Sequence, residues 1–305
     1  MSILFALAWR RGNHLIYLVL GIPGMLRKGL LMTELFDRIK ESAAYIRGIA
    51  DIKPSFGIIL GSGLGGLAKK IKVKATIPYE DIPNFPVSTV KGLHAGNLIL
   101  GELCGTQVVA MEGRVHYYEG YTLEQVTFPI RAMKALGARS LILTSAVGGI
   151  HQELEPGDIV IVTDHINLMG DNPLIGPNDE RLGPRFPDMS EPYNRAYIAH
   201  LERAALEVKI TTKRAVLAAL AGPCLETAAE YRFLRRIGAD VVGMSMVPET
   251  IVAVHASMKV LGLSVVTDKA TPDCLEPVNI AQIVANAKKG EAKLEKLVCQ
   301  FLSRV

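Results

Sequence analysis

Side chains able to bind and polarise an anion are concentrated in the segment MEGRVHYYEGY, residues 111–121. Arg114, His116 and Tyr118 stand at alternate positions, so an extended chain would turn all three to one side. A guanidinium beside an imidazole forms a clamp for an oxyanion, because arginine can bind through two parallel N–H groups. Glu119 is placed to orient the imidazole. A solvated loop is the alternative interpretation of this segment.

A carboxylate follows an apolar pattern at VVTD, residues 265–268. The run of residues before Asp268 is short, apolar and rich in β-branched side chains. Such a run is typical of a strand covered on both faces in a parallel sheet. Ligands of such sheets lie beyond the carboxyl ends of the strands. Asp268 therefore faces either a ligand or solvent at a strand end.

Three further clusters carry polar groups at turns. The stretch IILGSGLGGLA, residues 58–68, follows a strand pattern and exposes Ser62 with several glycines, which favours a backbone nest for one anion. Its formal G-x-G-x-x-G is weak evidence for a dinucleotide site, because the acids Glu80 and Asp81 fall among prolines where a second strand should end. Glu226 and Ser245 precede helical patterns, where they either contact a ligand or cap a helix N-terminus.

Composition excludes some classes of protein. The 305 residues are 49% hydrophobic and carry 34 basic and 30 acidic side chains without a long basic block, which argues against nucleic acid as a partner. The four cysteines have no C-x-x-C spacing and no histidine at metal-ligand spacing, so no metal site is predicted. We predict reduced thiols in a cytoplasmic protein; two disulfides in an exported protein are the alternative.

The first 31 residues differ from the rest of the chain. Apolar runs there are interrupted by Arg10, Arg11, Arg27 and Lys28, and the longest uncharged run, 12–26, is too short to span a bilayer. A signal peptide is the alternative, but it would be poorly formed, because the charged pair follows the first apolar run and no small-x-small cleavage site follows the second. We interpret residues 1–31 as an appendage and 32–305 as one domain, which begins with an amphipathic helix.

Short apolar runs alternate with helical patterns from residue 55 onward, and the segment 168–189 between them is rich in Gly, Pro, Asn and Asp. Such a long connection is usually functional or disordered. We predict strands at 56–60, 97–103, 107–111, 141–144, 159–163, 215–219, 241–244 and 263–267. We predict helices at 123–136, 191–206, 227–237, 248–261 and 280–302. This alternation favours a single-domain α/β fold with a mixed, largely parallel, twisted sheet surrounded by helices.

The clusters, taken in order, resemble the trimeric purine nucleoside phosphorylases, a family that includes the methylthioadenosine phosphorylases. The resemblance covers about residues 52–305 and rests on long stretches of sequence. These are GSGLGGL, IPNFPVSTV, GRVHYYEGY, GDIVIVTDHINLMGDNPLIGPND, RFPDMS, GPCLETAAEYR, GADVVGMSMVPE and VVTDKA.

The resemblance implies reversible phosphorolysis of purine nucleosides to free base and pentose 1-phosphate, a reaction of purine salvage, with inosine and guanosine favoured. It implies phosphate contacts from Ser62, His94, Arg114, His116, Ser245 and the backbone of Ala146. It implies nucleoside contacts from Tyr118, Phe186, Leu225, Glu226, Val242, Met244 and Asp268. His116, Glu226 and Asp268 would be catalytic. No metal or organic cofactor is implied, and Phe186 would reach into the neighbouring site of a homotrimer.

Three residues depart from the family pattern. One is Leu225, which stands where we associate an aromatic residue that stacks on the purine. We associate Asn with the position of Asp268, where an amide would donate to the purine; a carboxylate accepts unless it is protonated. Leu93 interrupts the family's G-H-A-G and could displace His94 from phosphate.

Four alternative functions stay open. Asp268 could broaden the specificity toward adenosine. A methylthioadenosine phosphorylase is disfavoured, because Glu226 suits a base with an N1–H. A nicotinamide dehydrogenase and a catalytically silent nucleoside-binding protein are weaker alternatives.

Overall fold

The computed structural model describes the backbone of residues 6–11, 14–19 and 23–305 and the side chains from Leu35 onward, in both cases except 62–63, 91–94, 271, 273–274, 276 and 278. The strands are β1 (Ala6–Arg11), β2 (His14–Val19), β3 (Phe56–Leu60), β4 (Lys72–Pro78), β5 (Asn97–Leu103), β6 (Thr106–Glu112), β7 (Ser140–Gly149), β8 (Ile159–Asn167), β9 (Thr212–Ala219), β10 (Val241–Gly243) and β11 (Lys259–Lys269). The helices are α1 (Pro23–Ile49), α2 (Leu123–Leu136), α3 (Arg195–Glu207), α4 (Ala228–Arg236), α5 (Val247–His255) and α6 (Ile280–Leu302).

Nine strands form one mixed sheet in the order β10-β9-β8-β11-β7-β3-β6-β5-β4, while β1 and β2 pair separately as an antiparallel hairpin. The pairs β10–β9, β9–β8, β11–β7, β7–β3 and β3–β6 are parallel. The central strands are buried along their length, as β3 illustrates, because helices cover both faces of a sheet of this kind. The predicted α/β class with a mixed sheet is confirmed.

The sheet also closes on itself. The last residues of β7 pair antiparallel with β10, Gly149 opposite Val241 and Gly148 opposite Val242. This pairing joins the strands β10, β9, β8, β11 and β7 into a ring. A Cβ on Gly148 would lie 3.2 Å from Val242 and 3.3 Å from Oδ2 of Asp268, so glycine lets three strand ends converge there.

Most predicted elements appear with boundary shifts of a few residues, but the predicted helix 248–261 is wrong at its end: α5 ends at His255, and residues 259–261 belong to β11. Strand β4 was missed. Of its seven residues only Ile77 is fully buried, because β4 is an antiparallel edge strand that pairs with β5 alone. Edge strands with exposed lysines lack the apolar pattern that identifies a buried strand. Helix α1 begins at Pro23, nine residues before the predicted start at Met32; the assignment of 1–31 as an appendage remains a prediction. None of the helices in the described part of the chain has the length and apolar character of a membrane span.

Two cysteines contradict the prediction of reduced thiols. Cys104 and Cys299 form a disulfide, with Cα atoms 5.5 Å apart and a sequence separation of 195. They meet because the end of α6 packs back onto the β5–β6 hairpin, where the Thr106 hydroxyl donates to the Leu302 carbonyl. Such a pairing has no local signature. Cys224 is free and exposed.

Gly61, directly after β3, is a point of close approach between β3 and β7. Its N–H donates to Oγ1 of Thr144 at 3.0 Å, and a Cβ there would lie 2.7 Å from the Thr144 carbonyl oxygen and 2.8 Å from Cα of Ser145. Backbone atoms cannot rotate away, so we expect Gly61→Ala to separate β3 from β7 and to lower the free energy of unfolding by about 1–3 kcal/mol. Urea denaturation measures this. The matched control is Gly65→Ala, where a Cβ meets nothing within 4 Å; equal losses in both variants would contradict the close-approach explanation.

Candidate active site

A cavity of about 350 Å³ opens where β7, β10 and β11 end. It lies at the carboxyl ends of these strands, the usual ligand position in sheets of this kind. The structure brings ten of the predicted site residues to its wall. They are Arg114, His116, Tyr118, Ala146, Leu225, Glu226, Val242, Met244, Ser245 and Asp268.

The remaining three predicted site residues are Ser62, His94 and Phe186. Ser62 and His94 lie outside the described residues, as does Leu93. Phe186 lies in the irregular connection between β8 and α3, and it is 87% exposed and does not line the cavity. In a single chain it therefore makes no contact with this site.

Arg114 anchors one end of the cavity. It is only 2% exposed, and its guanidinium is fixed by two hydrogen bonds: Nη1 donates to Oγ of Ser245 at 2.6 Å and Nη2 donates to the carbonyl of Thr144 at 2.9 Å. Ser245 follows β10, and its hydroxyl faces the arginine instead of capping α5. The N-cap position of α5 is Met246, whose φ of 72° is the left-handed region, and strain of this kind is concentrated at functional sites.

Glu249 is a site residue that the sequence analysis missed. Its Oε1 lies 3.1 Å from Nε of Arg114, and the two side chains are 2% and 3% exposed. The signal was an acid inside the otherwise apolar helix VPETIVAV, since a buried acid needs a partner. The partner itself could not be identified, because it lies 135 residues earlier in the chain.

His116 is oriented by Glu119, as its position in the sequence suggested. Nδ1 of His116 lies 3.1 Å from Oε1 of Glu119, and the His116 backbone N–H donates to the same oxygen at 2.7 Å. The second oxygen of Glu119 accepts from the N–H and the hydroxyl of Thr89. Burial alone would raise the pKa of Glu119, but these hydrogen bonds outweigh it and lower the pKa. The imidazole also stacks on Tyr118, with ring centroids 4.8 Å apart.

Carboxylates and a phenol occupy the opposite end of the cavity. Asp268 is half-buried, and burial raises its pKa while a hydrogen bond from the Thr267 hydroxyl, at 2.7 Å, acts in the opposite direction. The pKa of Tyr231 is also raised, most by burial and further by its hydrogen bond with Glu226 and the nearby charge of Asp268. Tyr231 and Thr267 line the cavity and were not predicted.

Glu226 does not cap a helix, which was one of the two interpretations of its position in the sequence. The N-cap of α4 is Thr227, whose hydroxyl accepts from the Glu230 N–H, and the Glu230 side chain accepts from the Thr227 N–H in return. This capping box satisfies the helix N-terminus locally. Glu226 is therefore left to line the cavity.

The cavity has two chemically distinct ends. The end at Arg114, His116 and Ser245 presents N–H and O–H donors to an anion. The end at Glu226 and Asp268 presents carboxyl groups to a polar ring. The apolar side chains of Val242 and Leu225 are also part of the wall. This arrangement suits a flat polar heterocycle joined to a group that meets an oxyanion.

The chain is similar to known phosphorylases over most of its length. The family model described as the phosphorylase superfamily matches residues 55–303. Purine nucleoside phosphorylase 1 of Bacillus subtilis is 50% identical over 262 residues, which cover 86% of this chain and 96% of the relative.

Solved structures agree with this similarity. Isoform 2 of the purine nucleoside phosphorylase of Schistosoma mansoni, in complex with cytosine and ribose-1-phosphate, superposes with a TM-score of 0.85 at 39% identity and covers 88% of this chain and 97% of that one. The S. mansoni purine nucleoside phosphorylase with inosine gives a TM-score of 0.84 at 39% identity, covering 88% and 96%. On this evidence the chain belongs to the purine nucleoside phosphorylase family.

Proposed function

We propose that the chain catalyses the phosphorolysis of purine nucleosides with a preference for 6-oxopurines, inosine and guanosine, and that Arg114, His116 and Ser245 bind phosphate. Family membership carries the reaction class. The observation that carries the assignment of the site is the buried guanidinium of Arg114 at one end of a cavity whose other end holds Glu226. A carboxylate there accepts from the N1–H of a 6-oxopurine, which adenine lacks.

The proposed mechanism separates charge along the cavity. Cleavage of a glycosidic bond passes through an oxocarbenium-like transition state, in which the sugar gains positive charge and the leaving base gains negative charge. Phosphate held at Arg114 and His116 stabilises the sugar cation and then attacks C1′, giving the pentose 1-phosphate. A protonated Asp268 donates to the purine N7, and Glu226 holds N1–H. Such preorganised donors contribute about 2.7–4 kcal/mol each to transition-state stabilisation.

The function is tested by incubating the protein with inosine, guanosine, adenosine or methylthioadenosine, each with and without phosphate. We expect free base and an equal amount of sugar 1-phosphate from inosine and guanosine only when phosphate is present. Base without sugar 1-phosphate would indicate hydrolysis. Preferential cleavage of methylthioadenosine would show that Glu226 does not bind the base as proposed.

Broad specificity that includes adenosine is the second candidate, and Asp268 favours it. An ionised carboxylate at the purine 6-position would accept from the 6-amino group of adenosine and repel the O6 of inosine. The balance between the two candidates therefore depends on the protonation of Asp268.

We also propose a homotrimer in which Phe186 reaches the site of a neighbouring subunit. The 87% exposure of Phe186 in the single chain supports a partner, because large aromatic side chains are enriched at protein interfaces. We expect Phe186→Ala to raise the nucleoside KM about tenfold while the Tm of the oligomer changes little. Steady-state kinetics and light scattering measure these quantities. Leu206→Ala, another highly exposed apolar side chain, is the matched control; an unchanged KM in Phe186→Ala would contradict a shared site.

A reaction without metal or organic cofactor and a cytoplasmic location remain predictions from the sequence. Chelator treatment tests the first: base release should persist after exhaustive dialysis against EDTA. Loss of activity that added divalent metal restores would contradict it.

A further inference from the structure

We infer that Glu249 is a positioning residue whose buried charge sets how tightly Arg114 holds phosphate. The inference rests on Arg114 as a phosphate ligand, which is part of the function proposed above. Glu249 lies in the first turn of α5 and is not among the residues that line the cavity. It therefore acts on a bound anion only through the guanidinium that it contacts.

The guanidinium of Arg114 is restrained on three sides. Glu249 lies at its Nε, Ser245 accepts from its Nη1, and the carbonyl of Thr144 accepts from its Nη2. A guanidinium carries five N–H groups in one plane, so these three contacts leave two N–H groups, one on each Nη atom. Two N–H groups on neighbouring nitrogens form the fork that binds two phosphate oxygens. Glu249 thus helps to fix the plane of this fork.

The contact between Glu249 and Arg114 balances charge without being a full hydrogen bond. Neither Nε of Arg114 nor Oε2 of Glu249 has a hydrogen-bond partner among the described residues, although Nε and Oε1 are in ion-pair contact. Within that part of the chain, Glu249 is the one carboxylate that forms an ion pair with Arg114. A buried charge without a partner is strongly destabilising, so Arg114 needs Glu249 whenever phosphate is not bound.

Phosphate and Glu249 then share one cation. When phosphate binds, the guanidinium has negative charge on two sides, and like charges repel strongly in a poorly solvated interior. Glu249 therefore stabilises the site without phosphate and weakens the site with phosphate. The consequence is an anion that is oriented by a strong donor yet is released readily.

The test removes the charge of Glu249 and keeps its shape. We expect Glu249→Gln to have a lower Tm than the wild type without phosphate and a larger rise in Tm on adding phosphate. The phosphate concentration for half of that rise should fall about fivefold or more, while the nucleoside KM stays within about twofold. The matched control is Thr250→Val, the next residue of α5, which loses a hydrogen bond to the Met246 carbonyl. It should lower the Tm and leave the phosphate response unchanged.

An unchanged phosphate response in Glu249→Gln would overturn the inference and leave Glu249 a purely structural residue. If that variant does not fold, Glu249→Asp decides, because it keeps the charge and withdraws it by one methylene. The withdrawn charge competes less with phosphate for Arg114. A phosphate KM about twofold lower or more, with an unchanged nucleoside KM, therefore supports the inference, and an unchanged or higher phosphate KM refutes it. If the wild type releases base with phosphate while the variants show these unchanged values, only the proposed role of Glu249 is refuted. A wild type whose Tm ignores phosphate refutes the proposed phosphate site as well.

Discussion

Arg114→Ala is expected to reduce kcat/KM for phosphate by about 10³-fold. The variant loses the charged fork that binds the anion, and it leaves the carboxylate of Glu249 buried and unpaired beside the site. Removing one donor to a developing or bound anion commonly costs 10²- to 10³-fold, and the arginine also contributes a full charge. Phosphate-dependent release of hypoxanthine from inosine, measured over a range of phosphate concentrations, gives the value.

The same substitution is expected to destabilise the fold, so activity alone does not decide its role. Breaking a buried ion pair by removing one partner costs about 3–5 kcal/mol. Arg114→Lys separates the two effects, because lysine keeps the charge and loses the planar fork. We expect the lysine variant to fold and to lose about 10²-fold in kcat/KM for phosphate. Arg139→Ala, an exposed arginine, serves as the control; a lysine variant within threefold of the wild type would argue against bidentate binding.

Asp268→Asn is expected to increase the preference for inosine over adenosine by about tenfold to a hundredfold. The asparagine amide donates to N7 and O6 at every pH, whereas the aspartate donates only when it is protonated. Burial raises the pKa of Asp268, so its neutral form persists to higher pH than for an ordinary aspartate. In the wild type, inosine cleavage should therefore fall and adenosine cleavage should rise as the pH increases through this raised pKa.

The pH profile of Asp268→Asn provides the control for this prediction. Asparagine does not titrate, so the ratio of inosine to adenosine cleavage should be flat from pH 5.5 to about 8.5 in the variant. A group whose pKa is raised by folding contributes stability below its unfolded pKa, and that stability is lost as the pH rises through the folded pKa. The variant should thus have the higher Tm at alkaline pH and no advantage well below the unfolded pKa. An identical substrate ratio in both proteins across this range would show that Asp268 does not contact the purine 6-position.

The end of the cavity at Glu226 and Asp268 was predicted from the sequence only in part. A short apolar run predicted β11, and the position of Asp268 after it predicted a ligand-facing carboxylate. The structure places that carboxylate on the cavity wall together with Glu226. Neither Tyr231 nor Thr267 was identified, because a tyrosine within a helix and a threonine within a strand are ordinary core residues by pattern. Their position at the cavity depends on where α4 and β11 end in space.

The sequence by itself determined the local chemistry and the order of the elements. The alternation Arg114, His116, Tyr118 and the short distance from His116 to Glu119 are local relations, and local relations follow from backbone geometry. The tertiary structure alone decided the rest: the closure of β7 onto β10, the edge strand β4, the pairing of Cys104 with Cys299 and the ion pair of Arg114 with Glu249. These contacts join segments far apart in the chain. They are selected by the packing of the whole sheet and its helices, which no local period or spacing encodes.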